Sequence, residues 1–259
     1  MGSHPTNSTE TYNGDFSKYY DKITAHKDYH AEIDKLVDFL QQTVNQPQPK
    51  ILDLGCGTGC HAILLSKLGY DVTAIDLSPH MIRMAQRKNT NVSFKACDIG
   101  GLLECDFNFA YSLFNVINCL ESIESLATLS KHVFDRLAKG ATFLVESWNP
   151  IAVVAVPPEI VERVYEYEDE RIVRKVVPVA DFLRQRLDLT YYIDVFHAGE
   201  RNEKLKSFVV VHHLLLFTPL EIEYCLRQAG FSDLKMFTAL PDLRPATCSD
   251  RMLAFACVK

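Results

Sequence analysis

Gly55, Gly57 and Gly59 stand where glycine can take part in chemistry. They follow a short apolar segment at residues 51–54 and precede a helical pattern. Glycine allows a ligand to touch the backbone, and the N-terminus of a helix offers free N–H groups to it. The spacing is typical of a nucleotide-like ligand, although a dinucleotide turn would have a further glycine where Cys60 stands.

Three aspartates accompany this turn. Asp53 directly precedes it and would repel a pyrophosphate, but it suits a ligand that carries an amino group. Asp76 ends the next apolar segment, where a carboxylate can accept hydrogen bonds from both hydroxyls of a ribose. Asp98 follows a third segment and can accept from the exocyclic amine of adenine, with Cys97 and Ile99 around the ring. Since the turn contains no Lys or Arg, these residues predict an adenosyl ligand with an amino-acid tail and no phosphate.

The elements that must position these residues alternate along the first half of the chain. A helix is predicted at about residues 27–43, and another, further along, is expected to end at Gly140. Strands alternating with helices indicate a parallel sheet with helices on both faces. Apolar segments predict strands at 51–54, 71–75, 92–96, 107–114 and 141–146.

This alternation stops after Trp148. Segments rich in Val, Ile, Tyr and Phe at 161–168, 188–196 and 205–217 predict antiparallel strands. A capping box at residues 218–221 then begins a helix, and two last strands are predicted at 234–238 and 252–258. The chain is therefore predicted to be one α/β domain that carries an inserted antiparallel β subdomain. Its charge run at 162–175 is predicted to be a solvated face of that subdomain, with a homodimer interface as the alternative.

Composition excludes several classes of function. The chain has 259 residues, with 27 Lys and Arg against 33 Asp and Glu, a formal charge of −6 that disfavours binding to nucleic acid. No apolar run approaches the roughly 20 residues that a bilayer requires. Eight singly spaced cysteines and an N-terminus without an apolar stretch indicate a reduced, cytoplasmic protein. His26 and His30 share a helix face without a third ligand, so no metal site is predicted.

Three motifs carry a resemblance to a known family. The segments 52–59 (Leu-Asp-Leu-Gly-Cys-Gly-Thr-Gly), 74–81 (Ala-Ile-Asp-Leu-Ser-Pro-His-Met) and 97–98 (Cys-Asp) resemble, in order and spacing, the cofactor site of class I S-adenosylmethionine-dependent methyltransferases. The resemblance implies a Rossmann-like, doubly wound, mostly parallel seven-stranded sheet and S-adenosyl-L-methionine as cofactor. The predicted cofactor-binding residues are Tyr29, Asp53, Gly55, Cys56, Gly57, Asp76, Leu77, Met81, Cys97, Asp98, Ile99 and Leu113.

The resemblance also divides the chain. Residues 1–14 are predicted to be a disordered tail. Residues 15–148 and 218–259 are predicted to form the methyltransferase core with an N-terminal helical lid, and 149–217 the inserted subdomain.

A narrower resemblance covers most of the chain. Segments at 16–21, 27–29, 145–148 and 213–217, together with the insertion, are similar to nucleotide-sugar N,N-dimethyltransferases, which methylate the amine of dTDP-amino sugars. Cys119 stands where those enzymes have a histidine. The resemblance implies catalytic roles for Tyr20 and Cys119 and a small-molecule substrate bound by Tyr20, Trp148, His213 and Arg251.

Methyl transfer from a sulfonium is an in-line displacement, in which alignment of the reactants is worth roughly 7–11 kcal/mol. A neutral amine needs no dedicated base, and none is evident after the fourth strand, so an amine or a carboxylate is a better acceptor than an alcohol. Two alternatives stay open. One is an O- or N-methyltransferase for another small metabolite, such as a carboxylic acid or a free amine, and the other is a catalytically silent adenosyl-binding module.

Overall fold

The computed structural model describes residues 14–88, 91–198 and 203–259. The predicted tail lies outside the described residues except for Gly14, which begins the first helix.

Two sheets organise the described chain. One has the strand order β10-β11-β5-β4-β1-β2-β3, in which β1 to β5 are parallel and β11 is antiparallel to β5. The other is antiparallel, with the order β6-β7-β8-β9. The predicted fold class is therefore confirmed. The strands are β1 Lys50–Leu54, β2 Asp71–Asp76, β3 Ser93–Ala96, β4 Phe107–Ser112, β5 Leu137–Trp148, β6 Val161–Glu166, β7 Glu170–Asp181, β8 Arg186–His197, β9 Lys204–Leu215, β10 Ser232–Thr238 and β11 Met252–Val258.

Capping residues mark several of the helices. Ser78 accepts from the Met81 amide at 3.3 Å, and Thr218 forms the predicted capping box with Glu221. No helix of the described residues is long and apolar enough to span a membrane. The helices are α1 Gly14–Ile23, α2 Tyr29–Thr43, α3 Cys60–Lys67, α4 Pro79–Gln86, α5 Ile123–Arg136, α6 Pro150–Ala155 and α7 Pro219–Ala229.

The prediction that Gly140 ends a helix is wrong. Helix α5 ends at Arg136, and β5 begins at the next residue. Gly140 has a φ of +78° and lies where the pairing of β4 with β5 shifts register. Its amide donates to the carbonyl of Lys259 at 2.9 Å. Gly140 is therefore part of a β-bulge beside the C-terminal strand and does not end a helix.

The large sheet is covered on both faces, as a parallel sheet must be. Leu52 packs in one apolar cluster with Phe143 and Phe255, while its neighbour Ile51 packs in the other with Leu36 of α2. Successive side chains of a strand point to opposite faces, so β1 is buried from both sides. Its carboxyl end is thereby held rigidly in the centre of the sheet.

Helix α1 lies between the two sheets. Phe16, Tyr19 and Ile23 pack in one cluster with Met81 of α4 and Ile172 of β7. Ion pairs of Lys22 with Glu170 and of Lys206 with Asp15 tie the helix to the antiparallel sheet. The division of the chain into a core and an insertion at 149–217 stays a prediction.

Candidate functional site

A cavity of about 770 Å³ opens at the carboxyl ends of β1, β2 and β4. Its walls come from the glycine turn after β1, from α1 and from β7, β8 and β9 of the antiparallel sheet. The cavity lies where the sheet order reverses around β1, which is where doubly wound sheets bind ligands. Its volume falls within the usual range for small-molecule sites.

The glycine turn forms one wall of this cavity. Gly55 and Gly57 have φ values of +73° and +55°, in the left-handed region. A Cβ atom built on Gly55 would lie 2.4 Å from Cγ2 of Val116, so no larger residue fits there. A Cβ on Gly57 would lie 3.9 Å from Cε1 of Tyr20, which places that ring of α1 over the turn. The turn thus presents bare backbone beneath an aromatic side chain.

Asp76 connects the turn to the end of β2. Its Oδ2 accepts from the Gly57 amide at 2.9 Å, and its Oδ1 accepts from the Ser78 amide at 2.8 Å. Burial raises the pKa of Asp76, and the two N–H donors oppose that shift. Each carboxylate oxygen can accept more than one hydrogen bond, so Asp76 can also bind a pair of hydroxyls.

Asp53 is 3% exposed at the end of β1. Burial raises its pKa to about 7; the neighbouring Tyr111 hydroxyl opposes the shift and the charge of Asp76 adds to it. The carboxyl is therefore close to half ionised at neutral pH. A ligand with a positive charge nearby would favour its ionised form.

The third predicted acid, Asp98, follows β3 and also lines the cavity. Its Oδ1 accepts from the Gly100 amide at 2.7 Å and caps a short 3-10 turn. Leu77, 49% exposed, presents an apolar surface beside the cavity, and Met81 is buried. The cavity brings together every residue predicted to bind the cofactor, from Tyr29 to Leu113.

Tyr20, Cys119 and Trp148 of the predicted acceptor residues line the same cavity. Burial raises the pKa of Tyr20 well above its ordinary value, so its phenol stays protonated at neutral pH. The Cys119 thiol donates a weak hydrogen bond to the carbonyl of Asn115 at 3.8 Å. The buried Nε1 of Trp148 has no acceptor among the described residues.

His213 was predicted to contact the substrate, but it is His212 that lines the cavity. His213 is exposed on the outer face of β9 and hydrogen-bonds to Asp188 at 2.8 Å. His212 lines the cavity against the rings of Tyr191 and Phe16, with centroids 4.7 and 5.4 Å away. Burial, reinforced by the charge of His213, lowers the pKa of His212 to about 4, so it is neutral at pH 7. Because adjacent side chains of a strand point to opposite faces, only one of the two histidines can face the cavity.

Arg251 was the predicted cation for substrate, and it lies outside the cavity. It is exposed just before β11, and its Nη2 donates to the carbonyl of Val156 at 3.0 Å. Arg174 of β7 lines the cavity instead. It was not predicted because it stands in the charge run at 162–175, expected to be solvated. Because side chains alternate between the two faces of a strand, Arg174 lies on the same face of β7 as the buried Ile172. This alternation could have predicted that Arg174 is buried.

A second group of unpredicted residues lines the cavity near Tyr29. Lys27 lies 3.2 Å from Glu32, which also hydrogen-bonds to His61 at 2.7 Å. The Lys27 ammonium lies 3.7 Å from the ring centroid of Phe114. Burial lowers the pKa of His61, and Glu32 opposes that shift. Lys27 therefore brings an ammonium that is ion-paired with Glu32 to the part of the cavity near Tyr29.

The segment after β4 is strained and clamped. Phe114 and Asn115 have φ values of +63° and +66°, which cost about 1–3 kcal/mol each for residues other than glycine. Glu146 holds the segment by accepting from the Phe114 amide at 2.9 Å, and its other oxygen accepts from Leu240 at 2.9 Å. The conformation leaves the buried Oδ1 of Asn115, a residue that lines the cavity, without a donor among the described residues. Strain kept at such a site indicates function.

The sequence profile of the methyltransferase domain family matches residues 25–235. The putative methyltransferase YqeM of Bacillus subtilis (strain 168) is 24% identical over 253 residues, 92% of this chain and 93% of the relative. The dTDP-3-amino-3,4,6-trideoxy-alpha-D-glucopyranose N,N-dimethyltransferase of Streptomyces venezuelae is 24% identical over 209 residues, 79% of this chain and 84% of the relative.

Solved structures share the fold over nearly the whole chain. DesVI of Streptomyces venezuelae has a TM-score of 0.79 at 22% identity and covers 95% of this chain and 99% of its own. CalS10 of Micromonospora echinaspora, an amino pentose methyltransferase solved with bound S-adenosylmethionine, has a TM-score of 0.76 at 19% identity, covering 96% and 98%. Since so little of this chain is left uncovered, the likeness extends over the antiparallel sheet.

Proposed function

Because the chain belongs to the methyltransferase domain family and is an S-adenosylmethionine-dependent methyltransferase, we propose that its acceptor is the amine of a nucleotide-linked amino sugar. The N,N-dimethyltransferase relative supports this proposal, since its match spans most of the chain. The amino pentose methyltransferase supports it through the shared fold, including the sheet that closes the acceptor side of the cavity.

The residues around the glycine turn fit the cofactor. S-adenosylmethionine, when bound, supplies an activated methyl group on a positively charged sulfur. Asp76 has acceptor positions left for ribose hydroxyls after binding two backbone amides. Asp53 contributes a buried carboxyl, and a positively charged ligand beside it would stabilise its ionised form. Lys27 gives a positive charge near Tyr29, where we place the carboxylate of the methionyl part.

The observation that carries the amine proposal is the buried Oδ1 of Asn115. An amide oxygen that has no donor among the described residues, in a strained segment that lines the cavity, can accept an N–H of an amine and so orient the amine lone pair. Tyr20 is protonated and His212 is neutral, so they position the acceptor and leave the amine uncharged. No strong base is required, because the amine can release its proton to water after transfer.

The test is methylation of a dTDP-amino sugar by the purified protein with S-adenosylmethionine, followed by mass spectrometry. The matched control substrate has a hydroxyl in place of the amine. Methyl groups should appear on the amino sugar only. Methylation of the hydroxyl compound at the same rate, or of neither compound, would contradict the proposal.

Asn115→Gly is the variant that isolates the amide. Glycine adopts a φ of +66° without strain, so the turn keeps its course while the Oδ1 acceptor is lost. We expect kcat to fall about ten- to hundredfold, the effect of losing a positioning hydrogen bond, with unchanged affinity for S-adenosylhomocysteine. An unchanged kcat would remove Asn115 from the mechanism.

A second candidate function is methylation of a small metabolite that carries a carboxylic acid. Arg174 favours it, because a buried guanidinium in the cavity wall pairs well with a carboxylate. A cytoplasmic location and a homodimer both stay predictions.

A further inference from the structure

Arg174 is a buried cation that has no counter-ion among the described residues. It is 8% exposed in β7 and lines the cavity. Its Nη1 donates to the carbonyl of Ile23 at 2.8 Å, while its buried Nε has no hydrogen-bond partner in the described part of the chain. None of the described carboxylates lies within ion-pair distance of it. A buried charge is costly unless an anion pairs with it, so the arrangement is complete only with a ligand.

The groups that face Arg174 do not supply that negative charge. The phenols of Tyr165 and Tyr191 lie beside it, with the ring centroid of Tyr165 at 5.6 Å, and Arg163 adds a like charge. His26 is neutral at pH 7, because burial and then Arg163, Arg174 and Lys27 lower its pKa to about 4. The guanidinium itself stays charged. This end of the cavity is therefore positive.

The acids of the cavity belong to other positions. Asp53 and Asp76 flank the glycine turn, and the Oδ1 of Asp98 is bound to a backbone amide. Glu121 and Glu124 also line the cavity, just before and in the first turn of α5. Trp148 also lines the cavity, and its Nε1 is a second buried donor that has no hydrogen-bond acceptor among the described residues. Two buried donors, one of which belongs to a positively charged side chain, favour a ligand with anionic oxygens.

We propose that Arg174 binds an anionic group, phosphate or carboxylate, of the methyl acceptor. This rests on the proposed function, and it adds the residue that binds the anionic group of the acceptor. In a nucleotide-linked amino sugar the anion is the diphosphate. The antiparallel sheet would thereby determine substrate class, through a residue that lies far along the chain from the cofactor motifs.

Anion binding to the complex with S-adenosylhomocysteine tests the proposal. The probes are dTDP, inorganic pyrophosphate and succinate, which separate a nucleotide, a bare phosphate and a carboxylate. Trp148 lines the cavity and is the single tryptophan of the sequence, so its fluorescence reports occupancy. The wild-type protein should bind at least one probe. Arg174→Gln should weaken that binding about ten- to hundredfold while S-adenosylhomocysteine affinity stays within about twofold.

Two control variants separate the charge from the fold. Tyr165→Phe removes the other donor to the Ile23 carbonyl, a bond of 2.7 Å, so it loosens the same helix end without removing charge. Lys175→Gln removes a charge from the next residue of β7, which is exposed on the opposite face. Both should bind the probes as the wild type does. Where Arg174→Gln loses S-adenosylhomocysteine binding, Arg174→Met, which keeps the apolar length of the side chain, takes its place.

The outcomes are distinct from those of the proposed function. Binding of no probe by the wild type, or equal binding by the Arg174 variant, would overturn the inference. If the wild type methylates a dTDP-amino sugar and Arg174→Gln has the same KM for that substrate, the inference is overturned while the proposed function stands. Arg174-dependent binding of succinate but not of dTDP would support the inference and count against the sugar nucleotide.

Discussion

The two sides of the cavity differ in how their polar groups are partnered. On the side of the large sheet, Asp76 and Asp98 accept from backbone amides of the turns that they begin. On the acceptor side, buried atoms of Asn115, Trp148 and Arg174 have no partners among the described residues. Asp76 and Asp98 thus have backbone donors before a ligand binds, although the buried hydroxyl of Tyr111, beside Asp53, has no partner among the described residues. The three buried atoms on the other side have no such donors or acceptors, so a ligand could supply them. The fold therefore satisfies part of the hydrogen bonding on the proposed cofactor side, and we propose that the methyl acceptor completes the hydrogen bonding on the other side.

The two sides also differ in where their residues come from. Residues at the ends of β1, β2 and β3 form the cofactor side, each next to a strand of one rigid sheet. The acceptor side combines α1, the segment after β4 and the antiparallel sheet. A substitution on the first side should therefore affect one ligand strongly, and one on the second should affect mainly the acceptor.

The largest effect should come from Gly55→Ala. The added Cβ would lie 2.4 Å from Val116, at a φ of +73°, so the turn or the segment after β4 must move. We expect affinity for S-adenosylhomocysteine to fall at least about a hundredfold by calorimetry, a cost of about 2.7 kcal/mol. Gly69→Ala is the control, since that glycine has a φ of +92° with nothing within 4 Å. Equal losses in both variants would mean that backbone strain alone is responsible.

An intermediate effect should come from pH, through Asp53. Burial raises the pKa of Asp53 to about 7, so binding of a cationic ligand at lower pH must displace the proton of this carboxyl. Affinity for S-adenosylmethionine should fall as pH drops below 7, by up to about tenfold per unit, and proton release should appear in calorimetry with two buffers. Asp53→Asn should flatten this dependence. A slope that persists in the variant would assign the titration to another group.

The same pKa shift affects the stability of the empty protein. Because the folded-state pKa of Asp53 is raised, its contribution to stability is complete below the ordinary pKa of aspartate and is lost as pH rises towards 7. Bound cofactor should reverse this trend.

The smallest effect should come from Arg251→Ala. Its exposed side chain contacts the carbonyl of Val156 and lies outside the cavity, so KM for both substrates should change less than about twofold. Steady-state kinetics beside Arg174→Gln gives a direct comparison of the two cations. A large rise in acceptor KM for Arg251→Ala would instead support the role that the sequence predicted.

Local order along the chain determined the cofactor side. Asp53, Asp76 and Asp98 each stand at or just after the end of a predicted strand, and the carboxyl ends of parallel strands meet at one edge of a sheet. Short-range rules also determined the caps at Ser78 and Thr218, because a cap involves residues only three apart. These features required no knowledge of what packs where.

Only the tertiary structure decided the acceptor side. Whether His212 or His213 faces the cavity depends on which face of β9 packs on α1, and both faces of that strand contain apolar residues. Arg174 is buried because α1 covers its face of β7, more than 140 residues away in sequence. Gly140 has the left-handed backbone of a helix end, yet pairing with the C-terminal strand made it a bulge. Contacts between distant segments depend on packing, which local spacing does not encode.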